Sequence, residues 1–292
     1  MQYLYPLLFT SIFKKMVWGS ESWDISCRPD EMGIIANGPL AGMPFDEAIA
    51  IDPSAFLGTR VCKKDVFPLL VKIITANDDL SIQVHPDDAY AAAHGLESGK
   101  SEMWYILEAE PGQSLIIGLT DDAAPEKLLS DPMSCLKRLP IKPGDMINIP
   151  PGTVHAITAG VKLAEIQQNS DVTFRLYDYG RAGLDGRPRE LHLEHGIAVS
   201  DFGSYKHEAG AEAIVNSYFS VCKYKIDGEI TESSDPGTFT VFTCVEGACT
   251  ISSPDSFRGP GVPLSCERSV FIPAGLGVYT ISGKAVLLKS RV

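Results

Sequence analysis

Four side chains in this sequence combine types and spacings that could hold a divalent cation. In "DDLSIQVHPDD", residues 78–88, Gln83 and His85 stand two apart in an otherwise apolar strand pattern. Alternate residues of a strand share a face, so the two point together. Glu102 follows His85 by 17 residues in "GKSEMWYIL", and His155 follows 53 residues later in "PPGTVHAI". Each interrupts a short apolar strand where a polar group would otherwise face the core. One amide, one carboxylate and two imidazoles are N and O donors suited to Zn²⁺ or a similar ion. Open coordination positions would make such a site catalytic and not structural. Taken singly, each residue has an ordinary reading: a hydrogen-bonded strand histidine, or an outward-facing glutamate. Spacing alone does not choose between them.

Further groups could act beside such an ion. Lys100 precedes Glu102 by two residues. "TFRLYDYGR", residues 173–181, read as one strand, places Thr173, Arg175, Tyr177, Tyr179 and Arg181 on a common face. Arginine binds phosphate in a bidentate way or polarises oxygen; solvated outward arginines are the alternative. Glu165, in "LAEIQQ", is a candidate base, because partial burial raises a carboxylate pKa toward neutrality. Its alternative is a buried hydrogen-bonding acid. His94, His192 and His195 fall in helical patterns and read as solvated or capping residues, while His207 lies in a linker and carries no role. The seven cysteines (Cys27, Cys62, Cys135, Cys222, Cys244, Cys249 and Cys266) are odd in number and lack CxxC spacing. They read as reduced thiols, mostly buried, with Cys244 and Cys249 packing in a strand.

The elements that must position these groups are mostly strands. Gly at 26 and Pro at 20 among 292 residues imply many turns. From "FPLLVKIITA" onward, short apolar segments alternate with Gly, Pro, Asn and Asp, the pattern of a β-sandwich or barrel. Helices are expected in "DEAIAIDPSAFLG", after His85 in "HPDDAYAAAHG", within 121–138, and in part of 188–214. One segment repeats: "IKPGDMINIPPGTVHAITAG", 141–160, is echoed by "LSCERSVFIPAGLGVYTISG", 264–283. Both read strand, Pro/Ala-Gly turn, strand, so a β unit is used twice. In the second copy Val278 or Tyr279 takes the place of His155, which removes a metal ligand. A net charge of −12 argues against a nucleic-acid partner but not against a small phosphorylated ligand held by a few cations. The opening "MQYLYPLLFTSIFKKMVWG" has its lysines after the apolar run and makes a poor signal peptide. No apolar run approaches the ~20 residues needed to cross a bilayer, so a cytoplasmic protein is expected.

Together "FPLLVKIITANDDLSIQVHPDD", "GKSEMWYIL", "IPPGTVHAI" and "EIQQNSDVTFRLYDYGR" resemble the type I phosphomannose isomerases of the short bacterial form. "LYPLLFTSIFKKMVWGSESWDIS" is similar to that family's N-terminus, so the likeness runs from about residue 5 to 182. The resemblance implies a mainly β fold of two cupin-like jelly-roll barrels with a few short helices. The expected layout is an N-terminal segment at 1–66 packing on the catalytic barrel, a metal-binding catalytic cupin at 67–187, a helical connection at 188–214, and a C-terminal cupin-like unit without a metal site at 215–292. It implies one zinc ion on His85, Glu102 and His155, with Gln83 completing the sphere as in some members. It assigns the family's catalytic arginine to Arg175 and its motif lysine to Lys100. Longer relatives carry a helical domain between the glutamate and the second histidine; here it is missing or reduced to the 121–138 helices. The implied reaction interconverts mannose 6-phosphate and fructose 6-phosphate through a cis-enediolate, with Glu165 as candidate base and Arg181 or Ser101 as candidate phosphate contacts. A non-catalytic sugar-phosphate-binding cupin and an isomerase for a different sugar phosphate are the alternatives. The absence of a Gly-rich nucleotide segment argues against a bifunctional enzyme that also activates mannose.

Overall fold

The computed structural model describes residues 3–61, 66–253 and 261–292. Its chain divides into two compact units, one of residues 13–21 and 73–211, the other of residues 1–12, 22–72 and 212–292. Both are built mainly from antiparallel strands, as the turn-rich composition implies.

In the first unit, a five-stranded sheet runs Leu136–Pro140, Ser114–Leu119, His155–Ala156, Ile82–Val84, Phe174–Tyr177. A second sheet carries Met146–Ile149, Glu102–Glu108 and Lys162–Gln168. The pleat sorts side chains between two environments. Leu115 and Ile117 of the first sheet meet Trp104, Ile106, Ile147 and Leu163 of the second in one buried core. Their alternates, Ile82, Val84, Ile116, Ala156, Phe174 and Leu176, form a separate core on the other face of the five-stranded sheet. That outer face packs Leu128, Cys135, Tyr90 and Ile197, which come from the short helical elements. Each fully buried aliphatic side chain contributes about 1.5–3 kcal/mol, so the register of these strands is strongly specified.

The helices fall where expected. Asp88–Ala93 begins after Asp87, whose carboxylate accepts from Tyr90 N at 2.7 Å. Residues 121–138 hold only Pro125–Ser130 and the 3₁₀ turn Pro132–Cys135. Leu193–Val199 is the helix of the 188–214 region. The expected common face of "TFRLYDYGR" holds only in part, and this corrects the sequence reading. The strand ends at Tyr177, its register against Ile82–Val84 shifts after Arg175, and Tyr179 adopts a left-handed φ of 56°. Tyr179 and Arg181 therefore lie in a turn, where alternation no longer governs side-chain direction.

The second unit is dominated by Ser220–Ser233, Thr240–Ser252 and Val278–Arg291. Sheet order is Ala213–Val215, Ser220–Ser233, Val278–Arg291, Thr240–Ser252, Val262–Ser265, with Ser269–Ile272 also on Thr240–Ser252. "VYTISG" and the following "AVLLKS" run on as one strand. Gly283, with φ 143°, continues the strand because a Cβ there would lie 2.6 Å from Ala248 O, a close approach and not a turn. "DEAIAIDPSAFLG" conversely splits into Phe45–Ile51 and Pro53–Leu57. Pro53 excludes helical geometry at Asp52, which instead caps the second helix through Ala55 N. Cys244 and Cys249 are buried in this unit's core, as expected, and the six described cysteines are all free thiols. Cys135 is also buried, Cys27 and Cys222 are half-buried, and Cys266 is exposed. Cys62 lies outside the described residues.

Candidate metal centre

His85, Glu102 and His155 converge in the first unit, with one donor atom from each lying within 4.8 Å of the others. All three are buried. Strand register explains the convergence. His155 pairs with Gln83, and Gln83 pairs with Arg175, so the three occupy one row across three adjacent strands. The same row continues to Ile117, a member of the inner core. Paired residues of neighbouring strands share a face, so the row points inward. Glu102 opens the facing strand beside Ile149 and Gln167. His85 stands one residue beyond the end of Ile82–Val84.

Both imidazoles are oriented by the backbone. His85 Nδ1 lies 2.8 Å from Val172 O, and His155 Nδ1 lies 2.8 Å from Thr153 O. A carbonyl only accepts, so each Nδ1 carries the proton and each Nε2 offers a lone pair to the interior. His85 Nε2 is 3.2 Å from Glu102 Oε1, and His155 Nε2 is 3.9 Å from Glu102 Oε2. Among the described residues, His85 Nε2 and both Glu102 oxygens are buried without a well-formed hydrogen bond. Lys100 Nζ nevertheless approaches Glu102 Oε1 to 3.0 Å. Buried polar atoms left in this state cost about 1–3 kcal/mol each, and convergent donors with carbonyl-fixed tautomers are what a cation site requires. The residues present therefore fit a metal ion.

The electrostatics agree. Burial, reinforced by Lys100 and opposed by Glu102, pushes the His85 pKa down to about 3. Burial also lowers His155, against the pull of Glu102. Burial alone would raise Glu102, but Lys100 and the two histidines hold its carboxyl well below the usual range. Neutral imidazoles and an ionised carboxylate are the ligating forms.

The remaining expected residues group around this trio. Gln83 Nε2 lies 3.3 Å from His155 Nε2, while its Oε1 accepts from Ser81 Oγ at 3.5 Å. In this rotamer Gln83 donates toward His155; turning the amide over would present Oε1 as a ligand. Arg175 donates from Nη1 to Glu190 O at 3.1 Å, and its buried Nε has no partner among the described residues. Glu165 pairs with Trp104 in the sheet and accepts from Trp104 Nε1 at 2.9 Å. The Trp104 ring meets His155 edge-on at 5.3 Å, linking Glu165 to the trio. Arg181 is engaged with Asp178, Asp78 and the Asp79 carbonyl, the last at 2.6 Å. Ser101 is buried in the segment leading to Glu102.

His94 and His195 lie on the outer face, bound to Tyr90 O at 2.9 Å and Tyr90 OH at 2.8 Å respectively. His192 occupies the cap position of the Leu193–Val199 helix, and its Nδ1 accepts from Arg175 N at 3.3 Å. Sequence reading missed the supports of Arg175. Asp178 takes Arg189 at 2.6 Å, which pins the turn that brings Glu190 O to the guanidinium. The "YDYGR" run reads as strand, and nothing in it points to Arg189, which stands 11 residues from Asp178.

Antiparallel sheets closing on an inward-facing His-Glu-His trio define a cupin of the metal-site kind. Comparison with known proteins makes this narrower. Residues 11–121 match the family described as phosphomannose isomerase type I, catalytic domain, and residues 210–292 match the mannose-6-phosphate isomerase cupin domain. A probable mannose-6-phosphate isomerase of Bacillus subtilis is 35% identical, covering 98% of this chain and 99% of the relative. The mannose-6-phosphate isomerase of Streptococcus mutans is 36% identical over 77% of this chain and 80% of its own length. The crystal structure of a B. subtilis mannose 6-phosphate isomerase superposes with a TM-score of 0.87 at 31% identity, covering 98% and 99% of the two chains. A mannose 6-phosphate isomerase solved with zinc and yttrium shares the fold at a TM-score of 0.75 and 16% identity, over 98% of each chain. The chain belongs to the type I phosphomannose isomerase family and is an enzyme of that isomerase class.

Proposed function

We propose that this enzyme is a zinc-dependent aldose–ketose isomerase that interconverts mannose 6-phosphate and fructose 6-phosphate through a cis-enediolate. One observation carries the metal assignment: His85, Glu102 and His155 present buried donors with both Nδ1 protons committed to carbonyls. These three, with Gln83 once its amide is turned over, would hold one zinc ion per chain. Zinc supplies Lewis-acid polarisation of the sugar oxygens and stabilises the charge that develops on them.

Within the substrate, the proton on C2 leaves, the enediolate forms, and a proton returns at C1 while another moves between the two oxygens. Glu165 is assigned the carbon-bound proton, as a buried carboxylate on the same sheet face as Glu102. Lys100, whose ammonium already lies against Glu102, moves the proton between oxygens. Arg175 stabilises the oxyanion, with its unpartnered Nε as one donor. Arg181 or Ser101 is assigned to the phosphate, and Arg181 would leave its acidic partners to serve. The catalytic unit is the metal-binding cupin, and the C-terminal unit is the cupin without a metal site. Among the described residues no helix is long and apolar enough to cross a membrane.

A coupled assay of mannose 6-phosphate conversion, with and without a chelator, tests this reading. Turnover should vanish on chelation and return with Zn²⁺. Turnover indifferent to chelation would remove the zinc mechanism, and zinc binding without turnover would leave a sugar-phosphate-binding module. Glu165→Gln should retain zinc and lose about 10²-fold or more in kcat if Glu165 is the base.

A further inference from the structure

The segment that delivers Lys100 and Glu102 has no regular structure before Glu102 begins its strand, yet its backbone is fixed on three sides. We infer that Gln168 and Asp88 form a positioning pair that sets the place of Lys100 beside Glu102. The kinetic consequence of this pair rests on the isomerase reading above. Three successive amides donate outward: Gly99 N to Asp88 Oδ1 at 2.8 Å, Lys100 N to Pro86 O at 2.9 Å, and Ser101 N to Gln168 Oε1 at 2.9 Å. Gln168 N returns a bond to Ser101 O at 3.0 Å. Gln168 Nε2 then donates to Asp88 Oδ1 at 3.1 Å, closing a ring of bonds around Lys100.

Neighbouring residues in a strand explain why Gln168 and not Gln167 does this. Gln167 lies opposite Glu102 and shares its inward face, so Gln168 points to the opposite side. There it meets Asp88, the first residue of the Asp88–Ala93 helix, whose start is capped by Asp87. The amide orientation of Gln168 is unambiguous, because Oε1 meets an N–H donor and Nε2 meets a carboxylate. Gly99 completes the arrangement: a Cβ there would lie 2.5 Å from Asp87 C and Asp88 N. The helix start and the Lys100 segment are therefore in backbone contact. A lysine stem has four rotatable carbons, and fixing the backbone on both sides confines where its ammonium can go. Neither Gln168 nor Asp88 reaches the His-Glu-His trio, so the pair acts through Lys100 and Glu102.

The test combines amide hydrogen exchange at Gly99, Lys100 and Ser101 with steady-state kinetics and metal content of the zinc-loaded protein. Gln168→Ala should speed exchange at these amides by roughly tenfold or more. It should lower kcat by ~10–100-fold with KM changed by less than about threefold, since a displacement near 1 Å has effects of that order. Gln168→Glu sets a carboxylate against Asp88 and should behave alike. Adding Asp88→Asn to Gln168→Glu restores one donor between the two side chains, and kcat should recover by about tenfold. Unchanged exchange in Gln168→Ala would overturn the pair as a clamp. Faster exchange with unchanged kcat would overturn its positioning role, as would failure of the double variant to recover. If the parent protein turns over no hexose phosphate, the isomerase reading fails, and exchange with the double-variant recovery of protection decides the clamp alone.

Discussion

The echoed strand–turn–strand segments end differently in the two units. At 141–160 the inward residue after the turn is His155, fully buried with its Nε2 facing Glu102 and Gln83. At 264–283 the residue aligned with it, Val278, is 44% exposed, and Tyr279 is the one buried in the core. Opposite Tyr279 in the sheet stands Glu232, which accepts from Tyr224 OH and pairs with Lys289 at 2.9 Å. Lys289 also lies 4.7 Å from the Tyr224 ring. The first unit thus brings an acid already met by the Lys100 ammonium together with two imidazole Nε2 lone pairs, whereas the second closes its acid with a phenol and an ammonium and adds no further ligand atom. A related arrangement of strands can hold a buried cation site or a partly solvated, self-neutralised pair, and the difference lies in whether the polar groups are satisfied by the protein itself.

The largest expected effect falls on the first unit. His155→Ala should remove zinc and lower kcat/KM by roughly 10³-fold or more, about 4 kcal/mol, as read by metal analysis and the coupled assay. Retained zinc would mean that the trio is not the centre. Arg175→Ala should keep its metal and lose ~10²–10³-fold in kcat, the scale of one oxyanion donor; loss of metal would place Arg175 among the ligand supports instead.

The second unit should respond in stability and not in turnover. Lys289→Met leaves Glu232 with one partner fewer and should cost about 1 kcal/mol in denaturant unfolding, with kcat unchanged. Burial would raise the Glu232 carboxyl, but Tyr224, Lys289 and Arg291 hold it below its ordinary value. A depressed folded-state pKa gives stability that is present above the unfolded value, ~4.3, and lost as pH falls through the folded one. Glu232→Gln should flatten that acid limb by under about 1 kcal/mol, because the pair is partly solvated. The smallest loss is expected for Tyr279→Phe, whose buried hydroxyl has no partner among the described residues. Its removal relieves an unsatisfied buried group, so stability should hold or rise by about 1 kcal/mol, with kcat unchanged. A large loss of activity there would mean that the second unit also holds a ligand, and the comparison would break.

The strand content and the paired motif were legible because alternation and turn residues survive in any register. The four polar interruptions at Gln83, His85, Glu102 and His155 were legible only as a set, because each alone has an ordinary reading and it is their combination that an apolar strand pattern does not explain. What sequence could not supply was partnership at a distance. Glu165 with Trp104, Gln168 with Asp88, and Asp178 with Arg189 are set by strand pairing and turn geometry. The face of "TFRLYDYGR" failed for a related reason: a left-handed Tyr179 costs energy that local propensity disfavours, so alternation predicted a strand too far.

The row His155, Gln83, Arg175 has one more consequence. Side chains of a strand change sides with every residue, so a one-residue slip of Ile82–Val84 would turn Gln83 away and drive Ile82 and Val84 into the interior. Such a molecule would lack the row outright and would not hold a weakened form of it. Activity in a refolded sample should therefore count correctly registered chains, and the specific activity of each of those chains should be the same.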